Sequence, residues 1–209
     1  MPAITTIDEV IEALDSIIKQ SEVNNDTAGY FAALYRRVTA RVKQGIVNNE
    51  FEDGARMEQL DVLFANRYLD AYFAWKQGLP ITGSWKKAFD ITSNYWPIVL
   101  QHLLMGMNAH INLDLGVAAA GISNGKDINS LEKDFNKINT ILSSLVAEFK
   151  DELSGIWPRL KWILQRTRKV DDFMVDFSMQ LARDGAWKFA LSITSKLCRF
   201  RLVDCCKRY

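Results

Sequence analysis

Both histidines of the chain fall within the sixteen residues from Gln101 to Gly116, QHLLMGMNAHINLDLG, together with Asn108, Asn112 and Asp114. The rest of that run is mostly Leu, Met, Ile, Ala and Gly. His110 and Asp114 are four residues apart, and on a helix turning roughly 100° per residue they share one face. An imidazole and a carboxylate one turn apart can share a metal ion or form an oriented acid–base pair. His102 and Gly106 lie on the same side, a turn or two earlier. Asn108 and Asn112 form a second, amide ladder on nearly the opposite face. The segment reads as a helix buried nearly all round, so each polar group must find a partner or cost several kcal/mol.

A site centred on His110 and Asp114 needs groups from other helices. The candidates are Asp70 in RYLDAY and Arg183 and Asp184 in ARDGAW, each polar within an apolar helical face. His110, Asp114, Arg183 and Asp184 are the catalytic candidates. Asn108, Asn112, Asp70 and His102 are the ligand-binding candidates. Gly106 would let a neighbouring backbone or ligand approach closely. With two histidines in the chain, any metal site would have to be rich in carboxylates, and a single H-x-x-x-D names no metal or cofactor.

The elements that must position these residues are helices, because no stretch alternates with period two. Thr6-Ile-Asp-Glu9 is a capping box, followed by an apolar stripe through Ile7, Val10, Ile11, Leu14, Ile17 and Ile18. Asn24-Asn25-Asp26 breaks that helix and leads into a second through Phe31, Tyr35, Val38 and Val42. Asp53 caps a third, running through Leu60, Phe64, Tyr68 and Tyr72 to Gly78. A short helix from Ser84 precedes the buried one, which starts near Pro97 and ends between Gly116 and Gly121. A helix over Ser130–Leu153 follows, then one opening at Trp157-Pro158 and a last one from Asp171 or Asp172. About eight helices with short connections make an all-α bundle around the buried central helix, expected as a single domain over residues 1–209.

Composition narrows the function classes. Of 209 residues, 48% are hydrophobic and 24% charged, an ordinary globular mix. The net charge of +1 gives no global attraction to nucleic acid or anionic membrane. Three cysteines, Cys198 and the adjacent Cys205 and Cys206, make no disulfide framework. MPAITTIDEV has no signal-peptide character, and no apolar run is long enough to span a bilayer. A cytoplasmic location is expected. The phosphate loop, the dinucleotide-binding glycine motif, the zincin motif, paired C-x-x-C and the nucleophile elbow are all absent from the sequence.

MNAHINLDLG (Met107–Gly116) resembles the signature Gly-x-Asn-Ala-His-Ile-Asn-x-Asp-Leu of an uncharacterised, helical, mainly bacterial family known only as a domain of unknown function. FANRYLDAYFAWKQG, SWKKAF and RDGAW are similar to the same family. The resemblance implies an all-helical domain and marks Asn108, His110, Asn112, Asp114, Arg183 and Asp184 as motif positions, without implying a reaction.

Three functions follow as expectations. The first is a helical-bundle enzyme or metal-assisted hydrolase with a small-molecule ligand at His110 and Asp114. The second is a binding or scaffold protein whose buried polar groups only specify the fold. The third, disfavoured by the charge balance, is a nucleic-acid or anionic-surface binder through the basic–aromatic stretch Trp157–Lys169. The basic C-terminal stretch KLCRFRLVDCCKRY reads as a partner-binding, lipid-facing or solvated helix end.

Overall fold

In a computed structural model that describes residues 4–90, 99–123, 127–138, 140, 141, 145 and 182–195, the capping box at Thr6 closes as its spacing requires. The Glu9 amide donates to Thr6 Oγ1 at 3.2 Å, and the Thr6 amide donates to Glu9 Oε2 at 3.1 Å. Helix α1 (Ile7–Asn24) then buries Ile7, Val10, Leu14 and Ile17 as one stripe. It ends on Asn25, whose left-handed backbone (φ 52°) turns its amide back onto the last carbonyls. Helix α2 (Gly29–Val47) packs against α1 and carries Phe31, Leu34, Tyr35, Val38 and Val42 inward. Asp53 caps α3 (Gly54–Lys76) by accepting the Arg56 amide at 2.9 Å.

Helix α4 (Gly83–Asp90) follows, and residues 91–98, including Pro97, lie outside the described set. The histidine-bearing segment departs from the single α-helix that its sequence predicts. It is α5 (Val99–Ala109), a π-helical turn over His110–Leu115, and α6 (Gly116–Ile122). A π-turn bonds each amide to the carbonyl five residues back, a rare winding that recurs at functional sites. The segment packs on α2, α3 and α4. It is not buried all round: Asn108 and Gly121 are exposed, and Met105, Val117 and Ile122 are partly so. The segment is thus one broken helix with exposed positions, and the expected helix buried nearly all round is not confirmed among the described residues.

Residues 127–138 are clamped to the start of α3. The Asp134 carboxylate accepts the Glu52 and Asp53 amides at 2.8 and 3.0 Å, and Arg56 donates to the Ser130 hydroxyl and carbonyl at 2.7 Å each. That clamp brings Phe135 and Ile138 onto the core. A helix over 182–195 supplies Ala182, Ala186 and Ala190 to the same core. The protein is therefore an all-α, multi-helix fold, with no strand among the described residues. No helix among them is long and apolar enough to cross a membrane. The predicted helix starts at Trp157 and at Asp171 or Asp172, the stretch Trp157–Lys169 and the three cysteines lie outside the described residues.

Two glycines bracket the π-turn and set how closely its neighbours approach. A Cβ on Gly106 would stand 2.4 Å from Cδ2 of Phe31, and one on Gly116 would stand 2.8 Å from the Ala186 carbonyl oxygen. A backbone oxygen cannot swing aside as a side chain can. Gly116→Ala is therefore expected to cost ~1–3 kcal/mol, the usual range for overpacking, as a lowered denaturant midpoint. Gly83→Ala, with nothing within 4 Å of its Cβ, serves as the neutral control. Equal midpoints for the two variants would contradict the close approach.

Candidate functional site

The Asp114 carboxylate of the π-turn is held by side chains from two neighbouring helices. Asp114 is only 2% exposed, so its carboxylate needs strong partners to stay ionised. Arg67 of α3 donates its Nε–H to Oδ1 at 2.6 Å, and Trp85 of α4 donates its indole N–H to Oδ2 at 2.8 Å. Burial alone would raise the Asp114 carboxyl, but the neighbouring His110, Trp85 and Arg67 outweigh it and hold the group below its ordinary value. Both oxygens are thus engaged by groups outside the turn.

His110 is not hydrogen-bonded to Asp114 as the four-residue spacing suggests. Its Nδ1 lies 3.8 Å from Asp114 Oδ2, beyond hydrogen-bond reach. Neither ring nitrogen has a hydrogen-bond partner among the described residues. The ring is sandwiched instead by aromatics. It stacks on Phe64 (centroids 3.5 Å apart, 5° between planes) and meets Tyr35 edge-on at 4.6 Å and Phe31 at 5.8 Å. Burial lowers its basicity, the nearby Asp114 opposes that effect and Arg67 adds to it, leaving His110 below its ordinary 6.5. The imidazole is therefore neutral at pH 7.

Two further polar groups, neither singled out by the sequence, meet His110 at one void. Asp61 of α3 and Tyr35 of α2 line a partly open cavity of about 60 Å³ with His110, Phe31, Phe64 and Ile111. Its remaining walls are Leu, Val, Met and Ile side chains. Asp61 Oδ2 and the Tyr35 hydroxyl, like the two nitrogens of His110, have no hydrogen-bond partner among the described residues. Burial raises the Asp61 carboxyl from 3.8 to about 7, with Glu58 adding to it. Burial, with the charges of Asp61 and Asp114, raises the Tyr35 phenol well above its ordinary 10. Tyr35, Asp61 and His110 thus belong to a wall that is almost wholly apolar, with the phenol hydroxyl, Asp61 Oδ2 and both imidazole nitrogens buried. One water needs roughly 10–15 Å³ of such space, so about four non-hydrogen atoms fit.

Asp114 also forms part of a second, open concavity of about 510 Å³, lined by Arg67, Asp70, Ala71, Ala74, Pro80, Ile81, Thr82 and Trp85. The other sequence candidates separate from one another. Asp70 is exposed at this surface groove and does not line the His110 cavity. His102 is buried beside Gly106, Trp85 and Phe31 at a different small void. Asn108 is exposed. The Asn112 side chain lies outside the described residues. Arg183 is buried and Asp184 exposed, and neither lines the cavity or the groove. Among the described residues, no three His, Cys, Asp or Glu side chains converge to hold a metal ion.

An all-α fold with a histidine and a carboxylate on a π-turn, fastened to two neighbouring helices, is the class that these features define. The chain belongs to a family of unknown function (DUF5995), whose profile matches residues 7–202. No curated protein and no solved structure matches it.

The sign of the Asp61 shift gives a stability test. Its carboxyl holds a proton in the folded protein up to about pH 7 but loses it near 3.8 when unfolded. The stabilisation this provides is full below the unfolded value and is lost as pH rises through about 7, by up to ~4 kcal/mol. Asp61→Asn, uncharged at every pH, is expected to gain on the wild type in denaturant midpoint between pH 4 and pH 8. Parallel curves for the two proteins would contradict a buried, proton-holding Asp61.

Proposed function

We propose that this protein binds a small, uncharged, mainly apolar molecule in the cavity between α2, α3 and the π-turn, whose wall includes His110, Asp61 and Tyr35. One observation carries this reading: three buried polar side chains without hydrogen-bond partners among the described residues line one apolar cavity. Buried polar atoms are paired in the great majority of proteins, so a cluster of exceptions beside one cavity supports a binding site there. The π-turn adds support, because such turns recur at functional sites. Neutral His110 and an Asp61 titrating near neutrality suit proton transfer as well as binding. The reading therefore keeps the expected enzyme class but moves its centre from the His110–Asp114 pair to His110, Asp61 and Tyr35.

A second reading has its own support. Both oxygens of Asp114 are taken by Arg67 and Trp85, the pattern of a buried carboxylate that fixes how helices meet. In that reading the chain is a scaffold, and the polar core specifies its fold.

The two readings separate in a titration of uncharged alcohols, amides and ketones of about four non-hydrogen atoms, followed by methyl NMR. Binding in the cavity is expected to shift the methyl signals of Ile111, Leu115 and Ile138, which line it, while leaving those of Ile17 and Val10 in place. Val38→Leu, which adds bulk to the cavity wall, is expected to remove the response and keep the fold. Saturating amounts of every compound class without a shift at those methyls would favour the scaffold.

A further inference from the structure

The open groove beside Asp114 carries two opposite charges that the fold leaves unmatched. Arg67 and Asp70 both line it. They lie three residues apart on α3, a spacing that puts their Cβ atoms roughly 5–6 Å apart on one face. Arg67 spends its Nε–H on Asp114 Oδ1 at 2.6 Å. Its two terminal nitrogens have no hydrogen-bond partner among the described residues, and neither is sealed from solvent, the side chain being 34% exposed. Asp70 is exposed and forms no hydrogen bond or ion pair with a described residue. The two do not pair with each other, although opposite charges at this spacing commonly do.

The bond to Asp114 accounts for that. A charge-assisted hydrogen bond to a carboxylate only 2% exposed anchors one edge of the guanidinium and leaves the rest of its rigid fork to the groove. The cost of ordering a long side chain, which weakens most surface ion pairs, is therefore already met by the fold. Ala71, Ala74, Pro80 and Ile81 add an apolar side to the same wall, and the indole N–H of Trp85 is taken by Asp114. A concavity of about 510 Å³ falls within the roughly 300–1,000 Å³ of small-molecule sites. Unlike the cavity beside His110, this wall has charged groups that solvent reaches.

Charge decides what the groove can hold. A plain anion at Arg67 would meet the carboxylates of Asp70 and Asp114. A plain cation at Asp70 would meet the guanidinium. A molecule with both charges on one carbon meets neither penalty, and its span suits two groups one helical turn apart. We infer that the groove binds an α-amino acid with an aliphatic side chain, Arg67 holding its carboxylate and Asp70 its ammonium. The aliphatic part lies along Ala71, Ala74, Pro80 and Ile81. Asp114, with both oxygens engaged, is the positioning residue for Arg67. This site is separate from the cavity and does not depend on it.

The test titrates L-leucine into the intact protein and follows the methyl signals of Ile81, Ala71 and Ala74 by NMR. Leucine is expected to shift these and to leave Ile111 and Ile138, which line the cavity, in place. Isocaproate lacks the ammonium and isoamylamine the carboxylate. Each is expected to bind about tenfold or more weakly, as loss of one charged hydrogen-bond partner implies. Asp70→Asn, at an exposed position, should keep the fold, lose about tenfold in leucine affinity and bind isocaproate no worse than the wild type does. Arg67→Lys keeps a charge for Asp114 but removes the fork, and should weaken leucine and isocaproate alike. Should it fail to fold, Asp70→Asn carries the test alone.

Isocaproate or isoamylamine binding as tightly as leucine would overturn the zwitterionic ligand. Equal leucine affinities for wild type and Asp70→Asn would overturn the ammonium contact and the proposal with it. Shifts confined to Ile111 and Ile138 would put leucine in the cavity and overturn the groove site. No shift at any of these methyls up to the solubility limit of leucine would overturn the inference and leave the cavity reading standing.

Discussion

A carboxylate nearly out of water is the constraint around which this fold is arranged. Asp114 stays ionised in the core because His110, Trp85 and Arg67 outweigh its burial, with Trp85 and Arg67 donating directly to its two oxygens. Those groups come from different helices, α3 and α4, so one side chain fixes both against the π-turn. Removing either would leave a buried acceptor without its partner, the more costly way to lose a hydrogen bond. The turn itself is set between Gly106 and Gly116, where Phe31 and the 182–195 helix approach too closely for any side chain.

With Asp114 so engaged, His110 is left without a hydrogen-bond partner among the described residues, and that gives the neighbouring cavity its character. The imidazole is fixed by stacking on Phe64 and by the edges of Tyr35 and Phe31, which hold a ring in place without using its nitrogens. The cavity therefore borders on residues whose polar atoms have no hydrogen-bond partner among the described residues. Asp114 is shared between two environments: it stands beside His110 on the cavity side and contributes to the open groove with Arg67 and Asp70.

The fold class and half of the site were legible in the sequence. Capping signals at Thr6 and Asp53 and the apolar stripes of the first three helices specify local structure directly, and a pair of histidines in an apolar run marks a polar group in a core. Three features were not legible. Asp61 and Asp70 lie nine residues apart on α3, roughly 180° around the helix, so an inward Asp61 leaves Asp70 facing out. Periodicity on a helix with apolar residues on most sides cannot choose between them; packing against α2 does. The π-turn has no compositional signature, because widening one turn of an apolar run changes no residue type. Asn108 looked buried for the same reason: its neighbours in the sequence are mostly apolar, yet its own side faces solvent.

The central claim is that Asp61 is a buried carboxyl kept in its neutral form beside His110 and Tyr35, available to a ligand rather than spent on the fold. Following the Asp61 side-chain carbon by ¹³C NMR through a pH titration tests this most directly. A midpoint near 7, moving when a ligand fills the cavity, is the predicted result. A midpoint at or below the ordinary value of 3.8 would mean that Asp61 is solvated or paired, and would contradict the account.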